Sequence, residues 1–581
     1  MTMNLTSKLG GDSQVSSLTS SHPCNHSTST RAVWRSALTG AMGVFVGVDV
    51  GTGSVRAAVF EADGRLLASH SLPIATWSPQ PDLYQQDSEA IWNACCTSVK
   101  TALSESGADP ATVLGIGFDA TCSLVVLDTD LRPLTVSPQG EPDQNIIVWM
   151  DHRAVEEAKL INSLGHPVLK SVGGTISPEM QTPKLLWLQQ HMPDTWHRAG
   201  MFFDLPDFLT WKATGSLTRS LCTVVCKWTY QAGDKETEGW DRTYFEQIGL
   251  GGLAEEGWKR IGTEVAAPGS PLGEGVTEEA AERLGVPAGT PVGAALIDAH
   301  AGGLGLMAIR DQFEDPCTRL GIIAGTSSCF MAVSREPCPV SGVWGPYWSA
   351  MLPGLWLSEG GQSASGRLLE YVINSHPLGQ AATENNRPVQ EDLEELLSTM
   401  AKDRGLSDVT LLTSDLHVYP DHHGNRSPHA DTTLRGMVSG LTLDTGRQSL
   451  AKYYLAHLQA ICYGSRSIVE ALSSGGHRIE AVYICGGIAK SSLFVQTLAD
   501  VLGVPVTCPS QPEAVLLGAA MLGAVASGLT LDDVRGQISG AGTSVSPRPE
   551  LEMFHLKKYK VFQKMHRDQL TYKEIMEGSM K

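Results

Sequence analysis

Two stretches of the chain carry residue types that could hold an anion. "VGVDVGTGSVRAAVF" runs from Val46 to Phe60, and "LGIIAGTSSCFMAVS" runs from Leu320 to Ser334. Aligned without gaps, they match at Gly47 and Gly321, Gly51 and Gly325, Thr52 and Thr326, and Ser54 and Ser328. Turns built from Gly, Thr and Ser let successive backbone N–H groups point at an anion with no Cβ in the way, and their hydroxyls add donors. Two such turns facing one cleft could grip a polyphosphate from both sides; each alone is also an ordinary hairpin turn. One position breaks the likeness, since Asp49 in the first phrase stands where Ile323 stands in the second. Another carboxylate, Asp298, ends the apolar run Pro291–Ile297 and precedes a series of small residues. Such an Asp either faces the ligand crevice at the carboxyl end of a strand or caps a helix N-terminus. The residues alone leave both open.

The elements that position these groups follow from hydrophobic periodicity. An apolar run at Val44–Val50, a glycine-bearing turn at Gly51–Ser54, an apolar return at Val55–Phe60 and the turn signal Asp63-Gly64 predict a strand, a hairpin and a further strand. Ile91, Trp92, Cys95, Val99 and Ala102 predict a helix from Ser88 to Leu103. A strand at Val113–Phe118 runs into polar Asp119-Ala120-Thr121-Cys122, followed by an apolar return at Leu124–Leu127. The second phrase restarts the programme, with a hairpin at Leu320–Val333 and a helix from Gln448 to Leu472. A strand at Ala481–Cys485, the pair Gly486-Gly487 and a helix at Leu493–Leu502 follow. A duplicated hairpin with αβ units implies two α/β domains of common plan facing a central cleft. Neither phrase is a GxxxxGK[ST] loop, and the GTGS turn is not a GxGxxG fingerprint opening a helix.

Composition narrows the partners. A chain of 581 residues exceeds what one core usually supports, so at least two domains are expected. A formal charge of −19 argues against nucleic acid or an anionic membrane surface, both of which need basic patches. No apolar run approaches the ~20 residues that span a bilayer. The twelve cysteines include no CxxC pair. The nearest spacing, Cys222 with Cys226, has no second pair or His arrangement beside it to complete a zinc site, so reduced, mostly buried thiols of a cytoplasmic protein are expected. Residues 1–42 are rich in Ser and Thr and read as a disordered extension. Residues 43–300 and 301–545 read as the two domains and 546–581 as a helical tail, its Phe554, Tyr559, Phe562 and Met565 packed and Lys557-Lys558 on a solvated face.

From Gly43 onward the chain resembles the FGGY carbohydrate kinases of the actin/hexokinase-like (RNase H-like) ATPase superfamily. "VGVDVGTGSVRAAVF" resembles the family's first phosphate motif, "LIDAHAGGLG" (Leu296–Gly305) its catalytic-acid motif and "AGTSS" (Ala324–Ser328) its second phosphate turn. "VYICGGIAKSSLFVQTLADVLGVPV" (Val482–Val506) resembles its adenosine motif, and "EAVLLGAAMLGA" (Glu513–Ala524) its closing helix. "FDATCSLVVLD", "WMDHRA", "SLCTVVCKWTY", "EGGQSASG" and "DHHGNRSPHAD" look like the ribulokinase branch. The resemblance implies an ATP- and Mg²⁺-dependent pentulose kinase, with D-ribulose converted to D-ribulose 5-phosphate. L-ribulose, xylulose or another polyol is the alternative acceptor, and a non-catalytic actin-like nucleotide-binding module the alternative role.

Residue by residue, the resemblance makes Asp298 the base that takes the proton of the attacking hydroxyl. It gives Asp49 a metal-side role, and Gly51, Thr52, Gly53, Ser54, Gly325, Thr326 and Ser327 the phosphates. Gly486 and Gly487, otherwise simple strand-to-helix punctuation, become the adenosine contact. Ala120, Thr121, Cys122, Lys227 and Glu359 join Asp298 around the sugar. A neutral polyol needs several fixed polar partners, because each one lost leaves a buried group unpaired. His417, His422, His423, His429, Asp421 and Asp431 belong to a stretch read as a polar active-site loop rather than a metal centre. Trp149, Trp211 and Trp228 are read as core or cleft-wall aromatics.

Overall fold

The run Val44–Val50 forms strand β1, buried along its whole length, as a Val/Phe-rich sequence interrupted only by Gly47 and Asp49 suits a central strand. The computed structural model describes residues 43–233, 238–378, 388–538 and 542–577; the extension 1–42 lies outside them. β1 turns into antiparallel β2 (Ser54–Glu61), and the Asp63-Gly64 turn, with Gly64 at φ +82°, leads to β3 (Leu66–Pro73). Helix α1 (Ser88–Ser106), N-capped by the Asp87 carboxylate, precedes β4 (Val113–Ala120), which runs parallel to β1. A long excursion containing α2 (Leu221–Lys227) ends at β5 (Leu296–Ile297), parallel to β4, and α3 (Asp298–Met307) follows directly. The sheet order is β5-β4-β1-β2-β3.

The second phrase builds the same plan. β6 (Arg319–Ala324) and β7 (Ser328–Ser334) form the hairpin, and β8 (Trp344–Trp348) and β9 (Trp356–Gln362) extend it. Helices α4 (Gly366–Ser375) and α5 (Arg447–Ser474) then lead to β10 (Ala481–Cys485), parallel to β6. After α6 (Ser492–Leu502) come β11 (Val506–Cys508), the buried helix α7 (Ala514–Ala526), β12 (Thr543–Val545) and α8 (Glu552–Glu577). Within the order β8-β9-β7-β6-β10-β11-β12, the five strands β11-β10-β6-β7-β9 repeat β5-β4-β1-β2-β3.

Two helices cross between the repeats. α7, which follows the second sheet, packs on β1 and β4 of the first, while α3, which follows the first, packs on β6 of the second. The approach is backbone to backbone: a Cβ on Gly117 would lie 1.9 Å from the Ala519 carbonyl oxygen, and one on Gly518 1.9 Å from that of Ala301. The expected boundary at 300/301 thus falls inside α3.

Two local expectations change, at Leu124–Asp128 and at Lys558. Leu124–Asp128 does not return beside β4, whose two edges are taken by β1 and β5. It pairs with Ala199–Asp204 in a separate four-stranded sheet. Lys227 closes α2, because the Ser220 hydroxyl accepts the Cys222 N–H and starts a helix through the β-branched residues. In α8, Tyr559, Phe562 and Met565 pack inward as expected. Lys558 is buried with them, its Nζ donating to the Thr413 carbonyl at 2.8 Å. Among the described residues, no helix is long and apolar enough to cross a membrane.

Candidate active site

Asp49, one residue before the end of β1, shares its register position with Asp119 on β4 and Arg56 on β2. Arg56 Nε donates to Asp49 Oδ2 at 2.7 Å, and its Nη1 donates at 2.8 Å to Glu513, the residue before α7. Among the described residues no hydrogen-bond donor reaches either oxygen of the fully buried Asp119. Burial first, then the charges of Asp49 and Asp298, push the Asp119 carboxyl well above the usual range. The same register position in the second sheet holds Ile323 and Cys485, so the acid pair belongs to one lobe only. A buried carboxylate without donors is costly. Paired with Asp49, it presents the hard oxygen set that suits Mg²⁺.

Asp298 is the first residue of α3, with Ile297 as the N-cap, so its side chain is not spent on capping. Among the described residues it accepts the neighbouring Ala299 N–H, at 2.7 Å. Burial, then the Asp49 charge, raises this carboxyl to about 6. Of the alternatives left open by the sequence, the cap position belongs to Ile297, and Asp298 is coupled electrostatically to the acid pair.

The two phosphate-type turns each close on their leading glycine but differ by one residue: Gly51 N–H donates to Ser54 O at 3.0 Å in a four-residue loop, and Gly325 N–H to Ser327 O at 2.9 Å in a three-residue loop. These two amides are therefore engaged by the turns themselves, leaving the following residues to meet a ligand. The first turn is braced from behind. The Thr52 carbonyl accepts from Gln86 Nε2 at 2.8 Å, and its hydroxyl accepts from Trp149 Nε1 at 2.9 Å. The second is seated on the start of α4, where the Thr326 carbonyl accepts the Ser365 N–H at 2.9 Å and the Gly325 carbonyl that of Gly366 at 3.1 Å. Gly53 is exposed, and a Cβ there would meet nothing. At the end of β10, Gly486 has φ +102° and a Cβ on it would lie 2.3 Å from the Ala324 carbonyl oxygen. The chain's own packing demands that glycine. Gly487 borders open space, where a Cβ would meet nothing within 4 Å.

On the other side of Asp298 the charges are buried. Lys227 lies with Nζ 4.3 Å above the Trp344 ring, not in solvent. Glu359, on β9, faces His300 Nε2 at 3.2 Å and accepts from Arg426 Nη2 at 2.8 Å. Burial alone would raise the Glu359 carboxyl, but Lys227, His300 and Arg426 hold it well below the usual range. Ala120 ends β4. The Thr121 N–H donates to Val50 O at 2.9 Å, and Cys122 O accepts from Gln181 at 3.1 Å, which fixes this strand end beside Asp49. The charges of Lys227 and Asp298 both act on the Cys122 thiol, which burial pushes up to about 12. Behind Glu359, burial opposes any charge on Cys222 and His300. The Cys226 thiol and His300 nevertheless lower the Cys222 pKa, and Cys222, with Glu359, raises that of His300.

Four residues of this site were not singled out from the sequence: Arg56, Asp119, His300 and Arg426. Arg56 had a signal, since it aligns with Phe330 and is a second break in the repeat. Of the histidines between 417 and 431, His429 stacks on His566 at 3.9 Å and His422 lies against Tyr371 and His457.

Comparison with known proteins follows the same division. Residues 44–305 match the N-terminal domain and residues 320–527 the C-terminal domain of the FGGY family of carbohydrate kinases. The FGGY carbohydrate kinase domain-containing protein of Danio rerio is 50% identical over 547 residues, covering 92% of this chain and 99% of that one. The D-ribulokinase of Saccharomyces cerevisiae is 39% identical over 512 residues, covering 83% of this chain and 72% of that one. The crystal structure of xylulose kinase from Rhodospirillum rubrum superposes with a TM-score of 0.73 at 20% identity over 91% of this chain and 99% of that one, a likeness of fold alone. The two lobes have the actin/hexokinase-like fold, and the chain belongs to the FGGY family of carbohydrate kinases.

Proposed function

We propose that this carbohydrate kinase acts on a pentulose, transferring the γ-phosphoryl group of ATP to the terminal hydroxyl of D-ribulose to give D-ribulose 5-phosphate. The observation that carries the reading is the position of Asp298, coupled to the acid pair Asp49 and Asp119 on one side and to buried Lys227 on the other. A base at that point serves a hydroxyl held among Lys227, Glu359 and the strand end Ala120–Cys122. The 39%-identical yeast relative named a D-ribulokinase favours D-ribulose among the pentuloses.

In this reading Glu359 and Lys227 accept from and donate to sugar hydroxyls, and Asp298 takes the proton of the attacking one. The turns at Thr52–Ser54 and Thr326–Ser327 hold phosphate oxygens, and adenosine lies against Gly486 and Gly487. Asp49, with Asp119, would hold Mg²⁺, which when bound neutralises charge on the phosphates. Arg56 supplies a cation at the same place. The eleven described cysteines are free thiols, in keeping with a cytoplasmic setting.

The test is a panel of D-ribulose, L-ribulose, D-xylulose, L-xylulose, glycerol and ribitol, assayed as sugar-dependent ADP release and compared by kcat/KM. D-ribulose should lead by at least ~10-fold, the size of one lost hydroxyl contact. A preference for another acceptor, or ATP binding without turnover on any, would overturn the assignment.

A further inference from the structure

The fold brings together three side chains that the sequence keeps apart. Cys222 and Cys226 stand one turn apart on α2, and His300 lies in the first turn of α3. All three are buried, and the two sulfurs and a ring nitrogen lie within 4.8 Å of one another. Cys222 Sγ is 2.9 Å from His300 Nδ1, while the opposite nitrogen, Nε2, faces the Glu359 carboxylate at 3.2 Å.

Two thiols and an imidazole converging in a dry pocket are the ligand set of a thiophilic, tetrahedral cation, whereas Mg²⁺ prefers oxygen. Bonds of about 2.3 Å to sulfur and 2.0 Å to nitrogen place tetrahedral ligands roughly 3.5–3.8 Å apart. The trio lies within 4.8 Å, and the Cys222–His300 pair, at 2.9 Å, has to open by about 0.6 Å, within reach of side-chain torsion, to admit an ion. A metal-ligating histidine characteristically gives its second nitrogen to a carboxylate, which fixes the ring and its tautomer. His300 already has that partner in Glu359.

We propose that Cys222, Cys226 and His300 form a binding site for one thiophilic divalent cation, with Zn²⁺ the best match, and that Glu359 orients His300 from the outer side. The site adjoins Lys227 and Glu359 but stands whether or not D-ribulose is the acceptor. Metal binding is read directly and not through turnover.

The full chain is stripped with a chelator and titrated with CoCl₂ in the presence of excess Mg²⁺. One Co²⁺ per chain is expected, with a thiolate-to-cobalt charge-transfer band in the near ultraviolet that one equivalent of Zn²⁺ abolishes. Alkylation followed by peptide mapping should then show Cys222 and Cys226 protected by Zn²⁺ in the wild-type chain. Cys226→Ser, accepted only with wild-type circular dichroism, should weaken Co²⁺ binding at least ~10-fold and reduce the band. A wild-type chain without the band at saturating Co²⁺, or with both thiols alkylated equally fast with and without Zn²⁺, overturns the site and leaves a metal-free Cys222–His300 pair. A band undiminished in Cys226→Ser also overturns it.

Discussion

Asp119 sets the sharpest expectation at the scale of single residues. Its two oxygens are buried without donors beside Asp49, an arrangement that costs stability unless a cation resides there. Asp119→Asn removes the repulsion, so the ligand-free variant should melt about 2 °C or more above the wild type while kcat/KM for MgATP falls by at least ~100-fold. A residue needed only for packing would lower both. Asp298→Asn should keep the contact with the Ala299 N–H and therefore the fold. Its kcat should drop by ~10²–10⁴ with KM for the sugar changed less than about threefold, the signature of a lost proton acceptor. Initial rates of ADP release check both, and retention of most activity in Asp298→Asn would remove the base from the mechanism. Asp298 and Asp49 were legible in the sequence because each ends or breaks an apolar pattern. His300 and Arg426 were not, since their partner Glu359 lies 59 and 67 residues away and no local spacing records such a contact.

Elements explain how the repeat becomes one catalytic body. The hairpins and parallel strands could be read from apolar runs and turn residues, and β1 and β10 fall where those runs place them. The crossing of α3 and α7 could not, because a helix buried on all sides carries no amphipathic stripe to say what it packs against. The small residues of α7 were visible, but their purpose became clear only with the Ala301 carbonyl lying where a Gly518 side chain would go. Gly518→Val should therefore force α3 from α7 and cost about 3 kcal/mol or more, at the upper end for overpacking. Because α3 begins with Asp298, the surviving folded fraction should also lose kcat. Chemical denaturation and active-site-normalised rates measure the two effects. A Gly518→Val chain as stable as the wild type would mean that the crossing is looser than described. Leu124–Asp128 shows the complementary limit: an apolar run announces a strand but not its sheet, which was settled by the occupied edges of β4.

Across the whole molecule, the two repeats should respond to pH in opposite directions. In the first lobe Asp204 is buried, with Oδ1 unmet by any donor among the described residues, and burial, then Asp207, raises its carboxyl to about 7. Between the ordinary carboxyl value near 4 and pH 7 the unfolded chain has released this proton and the native chain has not, so stability falls as pH rises through that window. In the second lobe, burial lowers His457 and His555 to about 4. There the unfolded chain binds protons that the native chain refuses, so stability falls as pH drops from about 6.5 to 4. Each effect amounts to roughly 2 kcal/mol or more over its window. Melting curves from pH 4 to 8, with pulsed hydrogen exchange to separate the lobes, should show protection around residues 199–230 declining toward pH 7 and protection around residues 447–474 declining toward pH 4. Asp204→Asn retains the acceptor for Gln181 and Trp228 and cannot ionise, so the wild type's stability relative to it should decrease as pH rises. His555→Gln should flatten the acid limb alone. If Asp204→Asn shifted the curve equally at every pH, or if both lobes lost protection in the same direction, the opposed linkage would be wrong.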